Sequence, residues 1–354
     1  MRSGFLRISA ARRVMIDMVN REGYSLLAQR AKDTGFSGVI CITEGHDTVF
    51  EFITGMADRA NGREIGRNTL MGIASGTKLL TALAVGRLID QGLFGLDTPA
   101  MDIADLGIET YDRSITVRHL LSHTSGIPDY LDESLLESMD SIALSIPNDR
   151  LMRPRDYLPM FPRTPMCFAP GTAFRYNNGA YVWLALIVEQ ASGLSYMEYI
   201  NERLLRPLGV GRGGVYPTNA LPADTAFGYI KRGGQWVTNI FDVPIQAGGD
   251  GGVLLSAPEM HTIWECLVGE EILSPALTGE FLRPQAEVKP EKGIHYGIGV
   301  WLKQAPQGFT PYIEGSDAGI SFKSVCSIPD MRIKTAISNT TNGVWELEEA
   351  FDTV

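Results

Sequence analysis

The sequence predicts an α+β fold in which strands near both ends of the chain complete one sheet and a mostly helical stretch between them faces it. Three observations carry this expectation. Short β-rich runs lie at residues 36–54 and again beyond residue 227, helical patterning dominates residues 112–225, and no repeat, linker or low-complexity tract interrupts the 354 residues. The expected organisation is a single domain over 11–354, with 11–111 and 226–354 as its α/β part and 112–225 as a mostly helical subdomain.

Residues 11–33 place Val14, Met15, Met18, Leu26, Leu27 and Ala31 at helical spacings. Residues 36–42 and 48–54 are β-rich, and Glu44-Gly45-His46-Asp47 between them is a hairpin signal. A helix begins at Ser75 and runs through the apolar Leu79-Leu80-Thr81-Ala82-Leu83-Ala84-Val85; Gly92, Gly95, Asp97 and Pro99 then mark turns. Within 112–225 the clearest helix is 181–192, and Pro and Gly break the rest. Strand patterns return at Tyr229-Ile230, 297–302, 321–328 and 333–338, and residues 344–351 close the chain as a helix.

Composition narrows the function. Lys and Arg total 31 against 41 Asp and Glu, a formal net charge of -10, and no basic run is interleaved with aromatics, so nucleic acid is not an expected partner. Cys41, Cys167, Cys266 and Cys326 are far apart with apolar neighbours, and are expected to be free, buried thiols. Residues 1–11 carry arginines without the apolar run of a secretory signal, and no stretch approaches the roughly 20 apolar residues of a membrane span. The chain as written is therefore expected in the cytoplasm; removal of a leader beforehand would leave the same sequence and a secreted or periplasmic protein.

Ser75 and Lys78 form the only S-x-x-K in the chain. Three residues apart on a helix, the two side chains share a face one turn apart. A hydroxyl is a poor nucleophile until a base takes its proton. A helix N-terminus and apolar neighbours both disfavour the charged form of a lysine, and a free amine beside a serine supplies that base. Taken alone, such a tetrapeptide is also compatible with a capping serine and a surface lysine. The continuous apolar run that follows is unlike a surface helix, which would show a polar face.

Other candidates are weighed the same way. Tyr176-Asn177-Asn178 follows the turn Pro170-Gly171-Thr172: a phenol can relay protons, and an amide can bond both a lysine and a substrate carbonyl. Tyr199-Ile200-Asn201 repeats the letters inside an amphipathic helical pattern and reads as packing. Glu314-Gly315-Ser316-Asp317-Ala318-Gly319 reads locally as a bulge or turn, or as a strand edge that offers a backbone N–H to an oxyanion. His119 and His123 lack the glutamate of H-E-x-x-H and a third ligand, so no metal is expected, and His123-Thr124-Ser125-Gly126 ends their helix. Gly209-Val210-Gly211-Arg212-Gly213-Gly214 matches G-x-G-x-x-G by letters, but it follows a helix and Pro207 with no acidic residue about 20 further on, which excludes a dinucleotide site. No G-x-S-x-G occurs. No cofactor is expected.

Together these segments resemble the penicillin-recognising serine hydrolases, the family of class C β-lactamases, D,D-peptidases and related esterases. The resemblance runs over roughly 36–338. It is carried by Phe36-Ser37-Gly38-Val39, Gly55-Met56-Ala57-Asp58-Arg59, Ile73-Ala74-Ser75-Gly76-Thr77-Lys78, Val117-Arg118-His119-Leu120-Leu121-Ser122-His123-Thr124-Ser125-Gly126-Ile127, Pro170-Gly171-Thr172-Ala173-Phe174-Arg175-Tyr176-Asn177-Asn178, Gly248-Gly249-Asp250-Gly251-Gly252-Val253-Leu254-Leu255-Ser256 and Tyr296-Gly297-Ile298-Gly299. It implies a β-lactamase/transpeptidase-like fold, an antiparallel sheet flanked by helices with an all-helical subdomain. It further implies Ser75 as the acylated nucleophile, Lys78 as its base, Tyr176 sharing proton transfer and Asn178 orienting Lys78 and the substrate. The oxyanion would lie between the N–H groups of Ser75 and Ala318.

One departure bears on substrate. The family's third motif usually reads K-T-G or H-x-G; alignment on Phe322 puts Gly315-Ser316-Asp317 there, so the cation is missing and Asp317 and Glu314 bring negative charge. Each carboxylate would repel a substrate carboxylate by roughly 1–4 kcal/mol, depending on the local dielectric. The expected function is a serine hydrolase that acts through an acyl-enzyme on a small ester, amide or peptide, including substrates with a free amine. Ser316, Asp317, Ala318 and Asn178 would line the substrate. The alternatives are a β-lactamase or D,D-peptidase, and a non-catalytic ligand-binding member of the fold.

Overall fold

The computed structural model describes the backbone from Ala10 to Val354 and the side chains from Glu22 onward; the arginine-bearing segment before Ala10 lies outside the described residues. Helix α1 spans Ala10–Asp33. Its Leu27 and Ala31 are fully buried while Leu26 is 60% exposed, and the side chains of Val14, Met15 and Met18 lie outside the described set.

Strands β1 (Gly38–Glu44) and β2 (Asp47–Thr54) form the hairpin at the start of the chain. Near its end come β3 (Ala286–Lys289), β4 (Ile294–Tyr296), β5 (Trp301–Ala305), β6 (Gly308–Asp317), β7 (Ile320–Ser327) and β8 (Arg332–Ser338). These eight strands make one sheet in the order β3-β4-β5-β6-β7-β8-β1-β2, with every neighbouring pair antiparallel. The two ends of the chain meet where β1 pairs with β8, from Gly38 opposite Ser338 to Glu44 opposite Arg332.

Residues alternate faces along β1, so one strand feeds two cores. Ile40 and Ile42 pack with Leu27, Ala31 and Phe351, beneath α1 and the C-terminal helix α6 (Glu348–Thr353). Val39 and Cys41 face the larger core built on helices α2 (Thr77–Asp90), α4 (Asn178–Ser192) and α5 (Ala257–Val268). Helix α2 is buried at every position from Thr77 to Gly86, as an apolar helix without a polar face must be. Helix α3 (Val117–Leu121) is capped by Thr116, whose hydroxyl accepts the His119 N–H; His123 lies beyond its end with a left-handed backbone, φ 58°.

The structure departs from three expectations. No strand covers 297–302: β4 ends at Tyr296, β5 begins at Trp301, and the residues between form a turn closed by Gly297 N–H to the Val300 carbonyl at 2.9 Å. Gly299 holds that turn against α2 with φ 71°, where any Cβ would stand 2.6 Å from the Ala82 Cβ. The stretch between α3 and α4 is not helical but a chain of loops and short 3₁₀ turns, the longest being Pro154–Met160. Its prolines lack the N–H that a continuous helix needs. Cys167 is exposed on one of these loops, unlike the buried Cys41, Cys266 and Cys326: its neighbours Met166 and Phe168 are half-buried, Met166 against the main core, and Cys167 between them turns outward.

Candidate active site

Four segments converge: the entry to α2, the N-terminus of α4, the end of β6 and the glycine-rich loop 248–252. Ala74 has a left-handed backbone, φ 45°, immediately before Ser75, which a non-glycine residue holds at a cost of about 1–3 kcal/mol. Hydrogen bonds on both sides over-determine it. Ile73 N–H reaches the Val253 carbonyl at 3.1 Å, Gly76 N–H reaches the Ile73 carbonyl at 2.8 Å, and Val253 N–H reaches Thr77 Oγ1 at 3.0 Å. Ser75 is thereby fixed at the mouth of a buried helix.

One turn on, Lys78 is 2% exposed and its Nζ lies 2.9 Å from Ser75 Oγ, 2.8 Å from Asn178 Oδ1 and 2.8 Å from the Asp250 carbonyl oxygen. Burial pushes its pKa below the usual lysine range, against the opposing pull of the Asp250, Glu133, Asp129 and Asp317 carboxylates. A neutral amine has two N–H donors and one lone pair. Two carbonyl-type acceptors and one hydroxyl are the partners such an amine requires.

The Tyr176 ring lies 4.8 Å from Lys78 Nζ and is held by Trp301, stacked at 6.0 Å, and by His123 at 4.5 Å. Burial raises the phenol well above its ordinary pKa, and a hydrogen bond with Ser75 opposes the rise. His123 is fully buried, and burial lowers its pKa well below the usual value. Its Nδ1 accepts the Asn177 N–H at 3.1 Å, so the neutral ring carries its proton on Nε2, 3.2 Å from the Tyr296 hydroxyl. His123 is the packing centre of the aromatic cluster that positions Tyr176, and His119 sits in α3 without it. Among the described residues, no group of three or more His, Cys, Asp or Glu side chains is arranged to hold a metal ion.

Asn178 opens α4. Its Oδ1 accepts from Lys78, and its Nδ2 donates to the Leu131 carbonyl at 3.1 Å and to Glu133 Oε1 at 3.0 Å. The helix N-terminus rests on Asp129, which accepts the N–H groups of Asn178 at 2.6 Å and Gly179 at 2.9 Å. Burial lifts the Asp129 carboxyl to about 7 even so. Asn201 of the second Y-x-N is remote from these groups and secures Val215, accepting its N–H at 2.8 Å and donating to its carbonyl at 3.0 Å.

Strand β6 supplies the remaining wall. Its pairing with β5 stops at Tyr312, while pairing with β7 continues to Asp317 opposite Ile320, so residues 313–317 have one unpaired edge. The residue that lies against the nucleophile is Gly315, where a Cβ would stand 2.5 Å from the Ser75 nitrogen and 2.6 Å from the Ile73 carbonyl oxygen. Glu314, expected beside the site, is on the opposite face: it pairs across the sheet with Lys323, which reaches Glu348 and Asp352 of α6. Ser316 shares that face by the two-residue alternation of a strand. Asp317 returns to the site side and lines the cavity; Ala318 is buried at the turn, its carbonyl accepting Asn239 Nδ2 at 2.7 Å.

The cavity, about 100 Å³, is bordered by Ser75, Asn178, Tyr130, Glu133, Asp250 and Asp317 and by an apolar wall that includes Met71, Ile142, Leu144 and Ile320. No lysine or arginine is among its described lining residues. Burial raises the pKa of Asp250, which accepts a hydrogen bond from Tyr130, and lifts Asp317 to about 7. Sequence reasoning missed Asp129, Tyr130 and Glu133, which follow the 117–127 signature with no local pattern of their own, and passed over Asp250 inside the glycine-rich segment.

Known proteins share this fold and much of this sequence. A family profile described as Beta-lactamase matches residues 25–324. The crystal structure of a penicillin-binding protein from Bacillus halodurans superposes with a TM-score of 0.86 at 34% identity, over 92% of this chain and 99% of that one. A penicillin-binding protein of Bacillus subtilis is 28% identical over 77% of this chain and 61% of its own length. The esterase EstB of Burkholderia gladioli is 31% identical over 51% of this chain and 48% of its own. The match thus spans about three fifths and one half of those two relatives. Among the described residues, no helix is long and apolar enough to cross a membrane. With a profile match over most of its length and this fold, the chain belongs to the β-lactamase family, which includes penicillin-binding proteins and esterases.

Proposed function

We propose that the protein is a serine hydrolase that cleaves a small ester or amide through an acyl-enzyme on Ser75. The observation that carries this is the buried Lys78 amine 2.9 Å from Ser75 Oγ, with its other two partners both acceptors. Ser75 Oγ attacks the substrate carbonyl while its proton passes to Lys78. The tetrahedral oxyanion collapses, the bond to the leaving group breaks, and that group departs with the proton returned by Lys78 through Tyr176. Water then attacks the acyl-enzyme, giving its proton to the same base, and the carboxylic acid leaves as Ser75 Oγ is reprotonated.

The oxyanion is assigned to the N–H groups of Ser75 and Ser316. In a two-residue hairpin the closing pair exchanges both hydrogen bonds, so Asp317 and Gly315 turn their N–H groups toward β7 and Ser316 turns its own to the unpaired edge beside Ser75. Ala318, the donor implied by resemblance, sits instead within the turn. Carboxylate-bearing acyl donors fit poorly, because the cavity wall offers them acids and no cation.

The test is intact-mass spectrometry after exposure to a fluorophosphonate, on the native chain and on Ser75→Ala. One adduct on the native chain, absent from the variant, is expected. A native chain that stays unmodified while an authentic serine hydrolase is labelled would remove the reading.

A further inference from the structure

The cavity beside Ser75 is lined by acceptor groups with nothing to accept, and two of them lie at or against the β6–β7 turn. Asp317 has protein on every side except the cavity, and its carboxylate makes no hydrogen bond among the described residues. Asn239 is 6% exposed and lines the same space; its Nδ2 is committed to the Ala318 carbonyl at 2.7 Å, which turns its Oδ1 to the opposite side, without a partner among the described residues. Asn239 is tied to the β6–β7 turn through Ala318, the residue that follows Asp317. Both the Asp317 Oδ2 and the backbone of Ala74 lie within 4 Å of the point where a Cβ on Gly251 would stand, so this carboxylate is close to the nucleophile segment. Of the other acids at the cavity, Asp250 is engaged by Tyr130, Glu133 by Asn178 and Asp242 by Arg232 through Oδ1, while Asp242 Oδ2 and the Thr218 hydroxyl have no partner among the described residues.

We propose that the Asp317 carboxylate and the Asn239 amide oxygen form a subsite for a primary ammonium group, so that the substrate is an amine-bearing ester or amide. This rests on the serine-hydrolase reading and adds the substrate class to it. An ammonium has three donors and no acceptor, matching a carboxylate plus an amide oxygen in a wall that holds no competing cation. The apolar lining of Met71, Ile142, Leu144 and Ile320 fits a hydrophobic side chain on the same acyl group. A carboxylate at that point would meet Asp317 instead of a partner.

The test compares kcat/KM for the p-nitrophenyl esters of phenylalanine, both enantiomers, and of 3-phenylpropionate, which differ only in the amine. The better phenylalanine ester is expected to be preferred by about 10- to 100-fold, the range of one hydrogen-bonded charge, and Asp317→Asn is expected to cut that ratio at least tenfold. A second measurement needs no variant. Phenethylamine is expected to slow fluorophosphonate labelling of the native chain at concentrations where 3-phenylpropionate does not. Equal protection, or an equal or reversed ester preference, would overturn the ammonium subsite and leave the serine-hydrolase reading in place, because labelling itself still occurs. Failure of the native chain to label at all would overturn both.

Discussion

Gly315→Ala tests the contact on which the nucleophile's position depends. The added Cβ would stand 2.5 Å from the Ser75 nitrogen, 2.6 Å from the Ile73 carbonyl oxygen and 3.0 Å from the Ala74 Cβ. Two of these atoms are backbone, and the segment carrying them is pinned to Val253 and Thr77, so no flexible side chain can yield. Restoring ordinary contact takes a separation of about 1 Å between β6 and residues 73–75, and a misplacement of that size costs about 100-fold in rate. Overpacking adds a stability loss of about 1–3 kcal/mol. The assay is the second-order rate of fluorophosphonate labelling of Ser75, measured well below the melting transition. A variant that labels and melts like the native chain would show that β6 does not abut Ser75 in this register, and with it the assignment of Ser316 to the oxyanion would fall.

Labelling of Ser75 should rise with pH, because only the neutral amine of Lys78 accepts a proton and burial moves its titration below the usual lysine range. Lys78→Arg, whose guanidinium stays charged, is expected to lose about 100- to 10,000-fold, and a flat profile between about pH 5 and pH 9 would exclude Lys78 as base. Stability should depend on His261, buried between Thr43 Oγ1 at 3.1 Å and Thr335 Oγ1 at 3.0 Å, where burial lowers its pKa from 6.5 to about 4. The folded state disfavours the imidazolium, so this contribution is complete above about pH 6.5 and fades as pH falls toward 4, amounting to about 3 kcal/mol. Urea titrations at both ends of that window should show His261→Gln losing less stability than the native chain; an identical loss would refute the assignment.

What was legible in the sequence and what was not divides along physical lines. The strands at both ends and the buried α2 were readable because period-2 alternation and a helix without a polar face are local signals. Ser75, Lys78, Tyr176 and Asn178 were readable as segments and do converge in space. The register of β6 was not, since its letters favour a bulge or turn over a strand edge, and only the approach of Gly315 to Ser75 shows which residue faces the helix. That approach moves Glu314 out of the site and leaves Asp317 in it. Asp129, Glu133 and Asp250 were illegible for another reason: an acidic residue in a loop is ordinarily solvated, and its burial beside Lys78 is a property of the closed fold alone.

Four carboxylates facing one lysine would be expected to hold it protonated, yet desolvation is the dominant influence on Lys78. Two features weaken the opposing field. Asp129 spends its charge on the N–H groups of α4, and Asp317, lifted to about 7, is only partly ionised near neutrality. An ammonium seated at Asp317 would favour the ionised carboxylate and cancel its pull on the Lys78 proton at the same time. The bound substrate would then help to keep its own catalytic base neutral, which an uncharged isostere cannot do. Relatives with K-T-G or H-x-G carry a cation on this strand to meet a substrate carboxylate; under the proposed subsite, Asp317 on the same strand would meet a substrate ammonium instead, from a different position.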